Sequence, residues 1–337
     1  MSSRGISRRT FAAATAATLA SINVVRSPAR AAEFSYKMGT DNAPQNPTNV
    51  LADAIFAELK ERSGGRLEIK NYPNNQLGGA SAMVGQVRSG ALEFMMADGG
   101  VLGSVVPLAA IIGVGFAFED SRQAFRALDG DLGDHVRKQI RAAGLFVHDK
   151  IFLNGMRQVT SSLKPINGEA DLAGLKIRTP AAKLATDLFA TLGASPTPMN
   201  FNEVYTALQT KIVDGQENPL TVIETAHLYE VQKYLSMTNH MWSGFWMIGN
   251  GEAWSRLPAD LQKLASNAFD KYAQQQRSEV EKMNDSLQAN LIKQGMIVNK
   301  PSPASFRAKL KPFYGRWKAE FGAEAWTQLE KYSGKLA

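Results

Sequence analysis

Three short stretches of this chain end on side chains suited to holding an anion. GLKIRTP (Gly174–Pro180) is an apolar run that closes on Arg178 just before a proline. NGMRQVTSS (Asn154–Ser162) carries Arg157, and VDGQENPL (Val213–Leu220) carries Asn218 in front of Pro219. A proline keeps the residue before it extended, so Thr179 and Asn218 are expected in strand geometry. A guanidinium can grip both oxygens of a carboxylate, a geometry lysine does not reproduce. An asparagine can donate to the same carboxylate or accept from a hydroxyl. An arginine without a partner is costly to bury, so such a strand end should border a cleft, where α/β sheets bind their ligands. Taken singly, each residue reads as structural. Three such strand ends in one chain point to a carboxylate site.

Bond-making chemistry has no comparable signature. The sequence holds no G-x-S-x-G, no Walker loop, no G-x-G-x-x-G and no H-E-x-x-H. DGDLGD (Asp129–Asp134) lacks the ligand spacing and closing glutamate of a calcium loop and reads as a turn beside a helix. With no cysteine there is no disulfide framework, thiolate nucleophile or thiolate metal site. The histidines His135, His148, His227 and His240 have no metal-ligand spacing, although His240 falls near the expected cleft. No catalytic residue, metal or cofactor is expected.

The net charge of +7 over 337 residues would suit nucleic acid, but its distribution does not. Arg4, Arg8, Arg9, Arg26 and Arg30 precede the first acidic residue, and without them the chain is close to neutral. No basic stripe with interleaved aromatics remains, so no nucleic-acid partner is expected. The same N-terminus has the parts of an export signal over 1–31: a twin-arginine core, SRRTF, a weakly apolar run, and ARAAE with cleavage sites after Ala31 or Ala32. The mature protein is therefore expected in the periplasm.

The elements that must position these residues are legible in part. EFSYKMGT, RLEIKNYP and ALEFMMAD read as strands, alternating with helices over Val50–Leu59 and ASAMVGQVRSG. This order predicts an α/β fold with a parallel sheet and helices on both faces. The eighteen uncharged residues 101–118 are interrupted by Pro107 and by glycines 103, 113 and 115; they read as buried strand and loop, with no membrane span. NFNEVYTALQTK is predicted as a helix capped by the Asn200 side chain, with Glu203 three residues on. From Pro258 to Gly295 no internal glycine or proline occurs, which predicts a helix roughly 54 Å long, enough to brace two domains.

GASPTPMNFNEVYTALQTKIVDGQENPL, with NGMRQ, GLKIRTP, YPNNQLG and YLSMTNH, resembles the substrate-binding proteins of TRAP transporters (the DctP family), particularly the branch with sialic-acid binders. The resemblance runs from about residue 34 to the last helix. It implies a two-lobed periplasmic binding protein, type II-like, with lobes joined by crossing strands and one long spanning helix. The lobes would be 32–154 with 244–283, and 155–243 with 284–337. It further implies a monomer that delivers a small organic acid to the membrane permease subunits. Arg178 would pair with the ligand carboxylate, helped by Arg157 and Asn218, and Phe201 would pack on the ligand. Ala80, Val101 and Ala181 replace polar contacts of sialic-acid binders, while Asp98 and Asp41 replace a glutamate and an asparagine. Those aspartates suit hydroxyls on a smaller, hydroxylated or sugar acid. Trp242, Phe245 and Trp246 would instead wall a more apolar or aromatic acid. A C4-dicarboxylate binder, an exported enzyme acting on an acidic substrate, and a sensor module remain as alternatives.

Overall fold

The computed structural model describes residues 31–336; the expected twin-arginine leader lies outside them. Ten strands form one mixed sheet in the order β2-β1-β3-β9-β5-β8-β6-β7, with β4 and β10 also paired to β9. They are β1 (Phe34–Gly39), β2 (Leu67–Tyr72), β3 (Phe94–Asp98), β4 (Leu145–Val147), β5 (Phe152–Ser161), β6 (Lys176–Thr179), β7 (Ser195–Pro198), β8 (Gly215–Asn218), β9 (Tyr234–Asn250) and β10 (Ile297–Asn299). The helices are α1 (Pro47–Arg62), α2 (Ala80–Ser89), α3 (Gly99–Leu102), α4 (Ser121–Leu128), α5 (Asp131–Ala142), α6 (Lys183–Thr191), α7 (Val204–Gln209), α8 (Leu220–Thr225), α9 (Gly251–Ser255), α10 (Ala259–Lys293), α11 (Ala304–Lys309), α12 (Lys311–Phe321) and α13 (Ala323–Ser333).

The expectation of a parallel sheet needs correction. β1 pairs in parallel with β2 and β3, and β6 with β7 and β8, as the strand–helix alternation implies. Between these two parallel groups lie β9 and β5, antiparallel to each other and to β3 and β8 on either side. β9 has 17 residues: its second half pairs with β3 and β4, and its first with β10. It and β5 are the strands that cross between the two lobes. β5 is irregular on both sides of Arg157, with register shifts between Leu153 and Gly155 and between Arg157 and Val159. Gly155 has φ +132°, and a Cβ there would stand 3.1 Å from Pro219, so the first bulge needs glycine.

Helix α10 runs 35 residues without a break. Its first half buries Leu261, Ala265 and Phe269 with Ile55 and Phe56 of α1 and Met38 of β1. Its second half buries Leu287 and Leu291 with Val204, Leu208, Leu220 and Ile223. One helix thus contributes to the cores at both ends of the molecule. Helix α13 packs on α4 and α5, where Tyr332 Oη donates to Asp131 Oδ1 at 2.7 Å and Lys331 pairs with the same carboxylate at 2.9 Å.

Two local expectations also change. Residues 101–118 are mostly buried, but they hold the end of α3 and a 3-10 segment, Pro107–Gly113, rather than a strand. Proline starts that segment because its missing N–H is not needed in a first turn. Among the described residues, no helix is long and apolar enough to cross a membrane. Asn200 does not cap the helix after it: Phe201–Glu203 forms a 3-10 turn without a side-chain cap, followed by α7. The Asn200 amide lies instead over Gly79, where a Cβ would come within 2.4 Å of its Oδ1.

Candidate functional site

Arg178 stands near the end of β6, between β7 and β8, facing Thr197 on one neighbour and Gln216 on the other. The strand reaches Thr179 and stops at Pro180, which has no N–H to continue it. Arg178 is only 3% exposed. Its Nε and Nη2 both donate to the Met199 carbonyl, at 3.2 and 2.8 Å, and its guanidinium lies 5.7 Å from the centre of the Phe201 ring. Among the described residues no carboxylate comes within ion-pair distance of it. Burial pulls its pKa down to about 10, so it is still a cation at neutral pH, one without a counter-charge in contact.

Arg157 is different. From between the two bulges of β5 it reaches the fully buried Glu217 on β8. Nε donates to Glu217 Oε2, while Nη2 donates to Oε1 and to the Glu217 carbonyl, both at 2.8 Å. Nη2 also reaches Asn218 Oδ1 at 3.1 Å. His240 Nε2 lies 3.1 Å from Glu217 Oε2, and its Nδ1 is 2.8 Å from Thr238 Oγ1. Burial opposes ionisation of Glu217, but the charge of Arg157 and the hydrogen bonds from His240 and Arg157 overcome it and hold the acid at about 2. Burial also lowers His240 from its usual value, which favours neutral imidazole. One guanidinium is therefore neutralised inside the protein. Asn218 is oriented in the same network, since its Nδ2 donates to Gln216 Oε1 at 2.6 Å.

The facing wall comes from the loop after β1 and the end of β3. Asp98 accepts from the Gly100 N–H at 2.8 Å and from Ser243 Oγ at 2.7 Å. Ser243 Oγ in turn accepts from Asn154 Nδ2 at 2.9 Å. The Asp41 carboxyl has no hydrogen-bond partner on another described residue; burial, then the charge of Asp98, push it up to about 6. Beside it, Asn42 Nδ2 is buried with no partner.

These walls enclose a tight cavity of about 30 Å³, well below the ~300–1,000 Å³ usual for open ligand sites. Asp41, Asp98, Arg157, Arg178, Phe201 and Asn218 all line it, although they come from six separate stretches of sequence. Trp242 does not. It is 1% exposed, set edge-on to Phe118 and Phe125, and borders an adjoining cavity. Of the other two aromatics, Phe245 lines the site and Trp246 is buried in the core. Sequence reasoning missed Asn42, Asn154, Glu217 and Ser243. Only Asn42 and Glu217 carried a signal, as polar neighbours of Asp41 and Asn218. Among the described residues no three potential metal-ligating side chains come together.

A small cavity lined by two buried arginines, at the ends of parallel strands and beside two crossing strands, is what the fold of a solute-binding protein provides. The family model "Bacterial extracellular solute-binding protein, family 7" (DctP) matches residues 38–320. The chain belongs to this family, the solute-binding proteins of TRAP transporters. It is 35% identical over 235 residues to the 2,3-diketo-L-gulonate-binding periplasmic protein YiaO of Escherichia coli, covering 69% of this chain and 71% of that one. It is 32% identical over 317 residues to the sialic acid-binding periplasmic protein SiaP of Vibrio cholerae, covering 94% and 96%. A further relative, the uncharacterized protein y4mM of Sinorhizobium fredii, is 39% identical over 267 residues; the match takes 78% of this chain but only 49% of that one, so the chain spans about half its length. Among solved structures, a TRAP periplasmic solute-binding protein from Polaromonas bound to D-erythronate superposes with a TM-score of 0.85 at 33% identity, covering 90% of this chain and 99% of that one. The sugar acid binding protein of Advenella mimigardefordensis with galactonate gives 0.86 at 27%, covering 91% and 100%.

Proposed function

We propose that this protein binds a small hydroxylated monocarboxylate, a sugar acid, and hands it to the membrane permease of a TRAP transporter without chemically changing it. The observation that carries this reading is Arg178: a buried cation on the wall of a small cavity, with no carboxylate among the described residues in contact with it. A ligand carboxylate supplies the missing counter-charge through a two-pronged contact. Asn218 and Arg157 steady that group, Phe201 packs on the carbon chain, and Asp41, Asp98 and the free Asn42 amide face its hydroxyls. The erythronate, galactonate and diketogulonate bound by relatives are acids of this kind. A C4-dicarboxylate is the less favoured reading, because Glu217 already neutralises the second guanidinium.

The lobes are taken to divide as 32–154 with 244–283, and 155–243 with 284–337. The sharing of α10 between two cores supports this division, while α13 ties the C-terminus back to α4 and α5. Export by the twin-arginine leader and a monomeric state belong to the same reading. A thermal-shift screen of organic acids tests it, since a ligand at a hundred times its Kd adds about 2.7 kcal/mol of stability. Hydroxylated monocarboxylates should raise the melting temperature most, with no product formed on long incubation. A screen led by benzoate-like or branched apolar acids, or by succinate, would overturn it.

A further inference from the structure

We propose that the site continues past Asp98 into an apolar chamber, and that its ligand is a hydroxy acid whose far end is a methyl or short alkyl group rather than a hydroxyl. This rests on the carboxylate reading above and narrows it.

The carboxylate cavity adjoins a second one of about 20 Å³, room for about one methyl group, and Asp98, Arg157 and Pro180 border both. Beyond that border the walls are the side chains of Ile112, Leu184, Ala185, Met241 and Trp242. Small residues keep this space open. A Cβ at Gly113 would approach Met241 Sδ to 3.2 Å, and one at Gly100 would meet the Ala182 Cβ at 3.1 Å.

The polar groups at the border already have partners in the protein. Asp98 holds the Gly100 N–H and the Ser243 hydroxyl, Ser243 holds Asn154, and Arg157 holds Glu217. Deeper in, Trp242 Nε1 donates to Ser121 Oγ at 3.2 Å and offers the chamber nothing. A hydroxyl pushed in there would lose its water and gain no hydrogen bond, whereas a methyl group would gain contacts on all sides. The carboxylate end, by contrast, has a free guanidinium edge and an unpartnered amide. The two ends of the site thus ask for opposite chemistry, and Trp242 acts on the ligand's tail rather than its head.

Matched pairs differing by one terminal hydroxyl test this by calorimetric titration: galactonate against 6-deoxygalactonate, and erythronate against 2,3-dihydroxybutanoate of the same configuration. In at least one pair the deoxy acid should bind tenfold or more tighter. Ala185→Leu, which fills the chamber, should abolish that preference. Gly113→Ala, a smaller filling, serves if the leucine variant melts early. Equal or tighter binding of the hydroxylated member in both pairs would overturn the proposal and leave the carboxylate reading standing, as would a preference unmoved by either filling. If none of the four acids binds, the reading beneath it fails as well.

Discussion

Two buried arginines on one cavity wall have opposite relations to the fold. Arg157 neutralises Glu217, so Arg157→Ala would strand a buried carboxylate, at a cost of about 3–5 kcal/mol. From sequence alone the strand needs no guanidinium and the variant should fold as well as wild type; the ion pair reverses that expectation. Urea unfolding should show a clear loss for Arg157→Ala. An unchanged midpoint would mean that Glu217 is not held as described. Asp41 sets a pH dependence. Its folded pKa, near 6, lies above the ordinary 3.8, so between these values the folded state holds a proton that the unfolded state has released. Asp41's contribution to the stability of the ligand-free protein should therefore fall as pH rises from about 4 to 6 and level off above, against the opposite contribution of groups such as Glu217. Asp41→Asn should remove that slope in melting curves, and an identical slope in both proteins would contradict the assignment. Arg178 was legible because a strand end before proline shows in seven consecutive letters. Glu217 was not, because its partner lies across the β5–β8 pairing, 60 residues away in sequence.

The crossing strands are fixed to α10 by two adjacent side chains. Gln276 accepts from the Leu153 N–H at 2.8 Å and donates to the Leu153 carbonyl at 2.6 Å, standing in for a neighbouring strand. Arg277 binds the Ile151 carbonyl at 2.9 Å and both oxygens of Asp129, and lies 4.0 Å from the centre of the Phe125 ring. Gln276→Ala would leave two buried backbone groups without partners, each costing about 1–3 kcal/mol. Chemical denaturation should register this loss, while the Kd for a bound acid stays within a few-fold of wild type. A variant as stable as wild type would mean that water takes the place of the amide. The long helix itself was plain in the sequence, since nothing between Pro258 and Gly295 interrupts it. Residues 101–118 were not, because a run without charges has no polar face to reveal its period. Strand direction was equally hidden: alternating strands and helices implied a parallel sheet, and β5 and β9 cross it the other way.

Taken whole, the molecule is two lobes joined by two strands and braced by one helix, with a small arginine-lined cavity beside the crossing strands. Ligand held by groups on both sides favours the closed arrangement over the open one. Small-angle scattering should therefore give a smaller radius of gyration with saturating acid than without, and superimposable curves would count against closure. The central claim, that Arg178 is the carboxylate clamp, is tested most directly by calorimetric titration of wild type, Arg178→Ala and Arg178→Lys. The titrant is the acid giving the largest thermal shift, and ligand-free melting curves are recorded alongside. Removing one partner of a buried, hydrogen-bonded charge pair costs roughly 2–5 kcal/mol. At about 1.4 kcal/mol per factor of ten, Arg178→Ala should weaken binding on the order of 30- to several-thousand-fold. Lysine should rescue little of it, because it lacks the two-pronged geometry. Both variants should melt near wild type without ligand, since the guanidinium has no carboxylate partner among the described residues to lose. Normal binding by Arg178→Ala, or a ligand-free form that melts far below wild type, would contradict the claim.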